Sequence, residues 1–312
     1  MHFKYKKIHG KRYKYAVKSL RLPDGRVVSL EKLYKTESSD DLDKIFLERE
    51  LQENIKYVCQ KYGTDSIFTE AVLKSIEEIK LSYKQILKRL TSPSQDELWN
   101  RFTANFTYES NALEGNSLTL KDVSMVMFEN ISLRGKDLRE IYETRNSREV
   151  VELIIKNTFS ISEKDIIKMH QLLVKDLGVR TGYKQFPNVI LGKMIETTPP
   201  EKVSQEMKGL LQWYSQNSGK VHPLKLAALF HGKFERIHPF EDGNGRVGRF
   251  LINVILIKHK YPPLIIRKSQ RVSYLKALSA FDSGYTGAME RLILEKFKET
   301  YRKFFEIYVK YI

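Results

Sequence analysis

Residues 238–249 read His238-Pro239-Phe240-Glu241-Asp242-Gly243-Asn244-Gly245-Arg246-Val247-Gly248-Arg249. An imidazole, a carboxylate, glycines, an asparagine and two guanidinium groups stand within one short stretch. Gly243 and Gly245 let backbone N–H groups approach a ligand closely, and the start of a helix there favours an anion. Arg246 and Arg249 are three apart, on neighbouring positions of one helix face, within reach of the same polyphosphate. Asp242 is a hard oxygen ligand suited to a Mg²⁺ ion that also bridges phosphates. His238, four residues earlier at the mouth of the loop, can serve as general base. A Gly-Asn-Gly alone is an ordinary turn, and a lone His is usually packed in a core. A loop that only turned the chain has no use for a base, a metal-type carboxylate, paired glycines and two arginines together. The stretch reads as a phosphate-handling site.

Such a loop needs rigid elements on both sides, and the sequence supplies them. Apolar helical runs precede it (LKLAALFHGKF) and follow it (FLINVILI). Helical periodicity also covers roughly 96–110, 119–130, 136–157, 162–177, 200–217, 223–237, 244–260, 269–282 and 286–311. Two long helical patterns lie between Asp43 and Leu90. Thr91-Ser92-Pro93-Ser94 ends that run, and Ser94 with Glu97 has the spacing of a capping box for the next helix. Residues 1–35 read differently: YKYAVKSLRL and RVVSLEKLY flank Pro23-Asp24-Gly25, which predicts a β-hairpin. The polar stretch 35–41 is the best linker candidate. The expected organisation is a basic β-hairpin appendix over 1–40, a helical extension over 41–94 and a mainly helical catalytic domain over 95–312.

Composition bounds the class. The chain has 312 residues, 41% of them hydrophobic and 29% charged, which is globular and excludes wholesale disorder. No run is long and apolar enough for a transmembrane helix. The basic N-terminus lacks the apolar core of a signal peptide. The single cysteine, Cys59, can form neither an internal disulfide nor a zinc cluster by itself, and reads as one face of a helix. A soluble cytoplasmic protein is expected. Lys plus Arg number 54 against 38 Asp plus Glu, for a net charge of +16. Residues 1–35 hold eleven of those bases and two acids, interleaved with Phe3, Tyr5, Tyr13 and Tyr15. A solvated ribbon is the plainer reading of that segment, and contact with a nucleic-acid backbone is the alternative.

HPFEDGNGRVGR resembles the signature of the Fic family at every position: His, any, Phe, any, Asp or Glu, Gly, Asn, Gly, Arg, two of any, Arg. The resemblance covers roughly residues 95–285. It implies an all-α catalytic fold with a short β-hairpin flap, here joined to the basic β-like ribbon and the helical extension. It also implies transfer of AMP from ATP, with Mg²⁺, to a hydroxyl of a Ser, Thr or Tyr in a target protein. In that scheme His238 is the base, Asp242 the metal ligand, and Gly243, Asn244, Gly245, Arg246 and Arg249 hold the nucleotide. Ser110-Asn111-Ala112-Leu113-Glu114-Gly115-Asn116 resembles the family's inhibitory motif. Ser110 and Glu114 are one helical turn apart, and Gly115 offers a stop. The resemblance pairs Glu114 with Arg249, so that the chain carries its own brake.

Thr181-Gly182-Tyr183-Lys184 followed by Val189, Ile190, Leu191 and Gly192 resembles the family's flap, to whose edge a target segment would add as a strand. The family often has Arg where Lys184 stands, and Lys184 is given no catalytic role. Tyr274, with Ala277 and Leu278, resembles the helix that closes over the nucleotide base, and Phe281 departs from an Asn common there. His231, His170 and His222 read as packing or capping residues. Two alternatives stay open: removal of AMP, with Glu114 positioning a water, and a regulatory protein that binds nucleic acid through residues 1–35. A phosphate-transferring branch of the family departs at the second glycine of the motif, and Gly245 is intact. The partners implied are a target protein, the chain itself as a substrate, a second copy in a homodimer and, through residues 1–35, nucleic acid. A membrane is not among them.

Overall fold

The computed structural model describes residues 1–129, 133–188 and 197–310, with side chains described to residue 308. The chain forms two compact units, Met1–Leu81 and Ser82–Ile312.

The first unit opens on an antiparallel sheet ordered β1-β2-β3: β1 (His2–Ile8), β2 (Lys11–Arg21) and β3 (Val27–Leu33). The expected hairpin is β2–β3, turning at Gly25 with φ +88°. β1 adds a strand that the sequence reading missed. Its residues are mostly exposed and charged, so little apolar alternation marks it. Ala16, Val17, Leu20 and Leu30 form the buried part of the sheet. Helix α1 (Ser39–Tyr62) follows, with Ser38 as its cap, and Arg49 and Glu50 on it reach the sheet through the Glu31 carbonyl and Lys18. Cys59 lies on α1, half-buried. Helix α2 (Glu70–Arg89) runs across the boundary of the two units.

The second unit is helical among the described residues: α3 (Ser92–Leu113), α4 (Leu120–Phe128), α5 (Leu138–Ile155), α6 (Glu163–Leu173), α7 (Pro200–Asn217), α8 (Pro223–Ile237), α9 (Asn244–Lys258), α10 (Arg271–Asp282), α11 (Gly287–Thr300) and α12 (Glu306–Lys310). A π-helical turn, Tyr301–Phe305, joins the last two. The helix over 92–113 begins earlier than expected. Thr91 caps it by accepting from Ser94 N–H, and Pro93 sits in the first turn, where its missing N–H costs nothing. The capping box appears instead on α4, between Thr119 and Asp122.

The centre of this unit is the antiparallel pair α8 and α9, with α3, α5, α6, α7, α10 and α11 around it. Their apolar residues, among them Leu226, Phe230, Phe234, Val247, Phe250, Leu251 and Ile255, are fully or almost fully buried. Glycines let the helices around this pair approach closely, Gly232 towards α10 and Gly248 between α9 and α8. A Cβ on Gly232 would overlap the Phe281 ring of α10, and one on Gly248 would overlap a carboxylate oxygen of Glu235. The polar loop 238–243 therefore hangs from two of the most deeply packed helices in the unit. That placement is what a site needing sub-ångström geometry requires.

Candidate active site

The loop begins where α8 ends. His238 is its C-cap and sits in the left-handed region, with φ 51° and ψ 62°. A non-glycine residue rarely adopts that conformation, and here the helix end holds it. The turn aims a largely buried imidazole out of the helix end, with Nδ1 3.9 Å from Glu235 Oε2 one turn back. Phe240 is fully buried and stacks on His170 of α6, with ring centroids 3.8 Å apart and planes within 4°. His170 Nε2 is 3.0 Å from the Asp242 carbonyl oxygen, so that ring also fixes the loop backbone. Burial lowers the His170 pKa to about 4, so the ring is neutral at pH 7. The sequence reading made His170 a packing residue; it is also a clamp on the loop.

Asn244 closes the loop on itself. Its Oδ1 accepts from Phe240 N–H at 2.8 Å and its Nδ2 donates to the Phe240 carbonyl at 2.7 Å. Gly243, with φ +80°, then leads into α9. The backbone N–H groups at the start of α9 point outward with no capping side chain, at the positive end of a fifteen-residue helix.

Arg246 and Arg249 are both buried on α9, and both are already matched by carboxylates. Arg246 lies 3.3 Å from Glu143 of α5 and 3.6 Å from Asp242. Arg249 meets α3. Its Nη1 is 2.8 Å from Glu114 Oε1, its Nε donates to Ser110 Oγ at 3.0 Å, and its Nη2 donates to the Ser110 carbonyl at 2.8 Å. Burial works against the charge of this guanidinium, but the Glu114 carboxylate, helped by Tyr274 and Glu235, outweighs it and raises its pKa. Glu114 terminates α3, Gly115 follows with φ +104°, and Arg271 of α10 donates to the Leu113 carbonyl at 3.0 Å. The carboxylate so held lies against the start of α9: a Cβ on Gly245 would overlap Glu114 Oε1. An acid thus stands at the helix end best suited to a phosphate.

Other expected residues fall as follows. Tyr274 is buried on α10, its hydroxyl 2.9 Å from His231 Nε2 and its ring 6.0 Å from the Arg249 guanidinium carbon; burial pushes its pKa well up. His222 caps α8 by accepting from Leu224 N–H. Val189, Ile190, Leu191 and Gly192 lie outside the described residues. The approach to them is described: Lys184 is buried, its N–H donates to the Pro239 carbonyl, and its Nζ donates to Asn188 Oδ1 and Thr197 Oγ1, each at 2.7 Å. Burial lowers its pKa to about 8. Asn188 Nδ2 in turn donates to the Phe240 carbonyl at 2.7 Å.

Three residues at the site escaped the sequence reading. Arg139 of α5 ion-pairs with Asp242, Glu143 pairs with Arg246, and Glu235 lies beside His238. Arg139 and Glu143 are one helical turn apart, as a charged surface pair would be, so spacing alone gave no sign. Glu235 sits on the apolar run before the loop, where a carboxylate is out of character; that was the available signal.

Asp242 and its neighbour Glu241 are the carboxylates of the loop, Asp242 being the one that meets Arg246, and no group of three metal-ligating side chains occurs among the described residues. That donor set fits Mg²⁺ held by one carboxylate and by a substrate's own phosphates. Arg139 would have to yield the carboxylate.

Residues 160–256 match the model of the Fic/DOC family. The chain is 32% identical over 183 residues to the protein adenylyltransferase Fic of Nematostella vectensis, covering 57% of this chain and 43% of that protein. It is 30% identical over 198 residues to that of Drosophila melanogaster, covering 62% and 40%. The chain thus spans about two fifths of the length of these curated relatives. A solved Fic-domain signaling protein from Bacteroides thetaiotaomicron superposes with a TM-score of 0.66 at 25% identity, covering 73% of this chain and 94% of that one. A Fic family protein from Desulfovibrio desulfuricans does so at 0.61 and 28%, covering 73% of each. Among the described residues, no helix is long and apolar enough to cross a membrane.

Proposed function

We propose that the chain is a protein adenylyltransferase of the Fic family, restrained by its own Glu114. The observation that carries this reading is the carboxylate on Arg249 at the start of α9. A buried arginine at a helix N-terminus suits a nucleotide phosphate, and the protein fills the place with an acid of its own. The matched relatives are named as transferases, which favours transfer over removal of AMP.

In this reading the backbone N–H groups of Gly243–Gly245 cradle the phosphates and Asn244 keeps the loop in shape. Arg246 and Arg249 take the β- and γ-phosphates once their carboxylates give way. His238 accepts the proton of a target hydroxyl, whose oxygen attacks the α-phosphorus in line; the α–β phosphate bond breaks and pyrophosphate leaves. Asp242 would hold Mg²⁺, which would supply neutralisation of the phosphate charge. Glu235, a buried carboxylate near His238 Nδ1, favours the imidazolium that proton transfer creates. Residues 95–312 would form the catalytic unit, and Val189–Gly192 would offer the strand edge for a target. The chain itself, or a second copy in a homodimer, is the simplest target.

The test is incubation with α-labelled and γ-labelled ATP, wild type beside Glu114→Gly. Label on protein from the α position, increased in the variant, is the expected result. Label from the γ position alone, or from neither, overturns the reading.

A further inference from the structure

Pairing register sorts the N-terminal sheet into two unlike faces. One face carries Phe3, Tyr5 and Lys7 of β1, Arg12, Lys14, Ala16 and Lys18 of β2, and Lys32 of β3, with Tyr34 beside Lys14. At one end of this face Ala16, Leu20 and Leu30 are buried, and Lys18 is 3.1 Å from Glu50 of α1. At the other end Tyr5 and Phe3 remain 55% and 43% exposed. Cations stand directly over these rings: Arg12 lies 4.1 Å from the Tyr5 centroid, and Lys14 lies 4.1 Å from Phe3 and 4.5 Å from Tyr34.

The opposite face handles its charge differently. Lys4 and Lys6 there both ion-pair with Glu31. No described carboxylate pairs with Lys7, Arg12 or Lys14. Lys7 and Arg12 are moreover direct cross-strand partners. Like charges so placed destabilise a sheet, and an anion laid across them removes the cost.

We propose that this face binds single-stranded nucleic acid, its phosphates on Lys7, Arg12 and Lys14 and its bases stacked on Tyr5 and Phe3. Alternating cations and rings on a sheet form a stacking platform beside a basic track. A duplex hides the base faces that such rings contact. A lipid surface would call for aliphatic side chains among the bases, whereas the exposed apolar groups of this corner are aromatic, and Ile8 falls on the other face. The proposal is independent of the phosphate chemistry at His238.

The experiment uses the full chain, with anisotropy of fluorescein-labelled oligo(dT) across a salt series and circular dichroism to verify folding of each variant. Binding should weaken as salt rises, with a log–log slope of about −2 for three phosphate contacts. Lys7→Gln with Arg12→Gln should cut the magnitude of that slope by roughly 1.4. Phe3→Leu with Tyr5→Leu keeps the bulk and removes the stacking surface; it should weaken binding roughly tenfold or more at unchanged slope. Lys4→Gln with Lys6→Gln, the two cations already paired with Glu31, should change affinity less than about twofold. The proposal fails if oligo(dT) does not bind at low salt, or if the ring variant binds like wild type. It also fails if duplex DNA, polyglutamate or phosphatidylserine vesicles compete as well as the single strand.

Discussion

The start of α9 and the face of the N-terminal sheet that carries Arg12 and Lys14 are both rich in cations, yet they hold them in opposite ways. Arg246 and Arg249 are buried, and each already faces a carboxylate, Glu143 and Glu114. Arg12 and Lys14 lie over aromatic rings with no described carboxylate beside them. A buried guanidinium left alone would cost several kcal/mol, so it must have an anion at all times, its own or a ligand's. A solvated cation carries no such obligation. The first arrangement makes binding an exchange, one anion for another, with an outcome that depends on which partner is removed. The second makes binding additive and tunable by salt.

The sharpest way to break the comparison is to remove the proposed base beside the helix pole. His238→Ala should lower AMP transfer by roughly 10²-fold or more while nucleotide binding survives, because the imidazole moves a proton and holds no phosphate. A variant keeping above about a tenth of wild-type rate in the labelled-ATP assay would sink that assignment.

Exchange predicts a sign rule next. Glu114→Gly should raise self-adenylylation by roughly 10- to 100-fold, the scale of one charge-assisted contact. Arg249→Ala breaks the same pair but should not activate, since the phosphate loses its ligand. The double variant should behave like Arg249→Ala. Equal activation by both single changes would make the pair an ordinary ion pair.

Packing supplies a third contrast. Gly248→Ala places a methyl group against Glu235 and His231, in a region with no slack. A loss of about 1–3 kcal/mol in urea unfolding is expected. An alanine tolerated there would mean that Glu235 is not fixed beside His238.

Lys184 gives a smaller, pH-dependent effect. Its folded pKa of about 8 lies below the unfolded value near 10.5, because burial disfavours the charge. The unfolded chain therefore binds more protons between those values, and stability must rise with pH across that window and be lost again as pH falls through 8. Wild type should gain up to about 1 kcal/mol over Lys184→Met between pH 7 and 9.5 in denaturant titrations. A flat difference would place the ammonium in solvent. The smallest effect expected is none: Lys7→Gln with Arg12→Gln should leave self-adenylylation unchanged, and a change would tie the cations of the sheet to the chemistry at His238.

Much of this was legible in the sequence. Helix periodicity located α3 to α11 nearly to the turn, since each buries an apolar stripe against neighbouring helices. The motif from His238 to Arg249 was legible because its residue types serve no packing purpose. β1 was not, since its residues are mostly exposed. Arg139 and Glu143 were hidden for another reason. Each acts through a partner outside its own helix, and spacing within one helix says nothing of what lies opposite. The Asn188–Lys184–Thr197 cluster likewise depends on tertiary contact, although the adjoining segment was singled out.

The triple hold on Arg249 has a consequence for time. Two of its three contacts are to Ser110 and only one is to Glu114, whose side chain is 48% exposed. Glu114 can therefore leave by rotating its own side-chain bonds into water, while Ser110 keeps the guanidinium in place. Rotations of that kind take picoseconds to nanoseconds, far faster than loop or domain motion. The proposed restraint, built so, would store no slow step: its occupancy would follow the nucleotide level moment by moment, and the lag in any response would belong to the target's arrival or to chemistry.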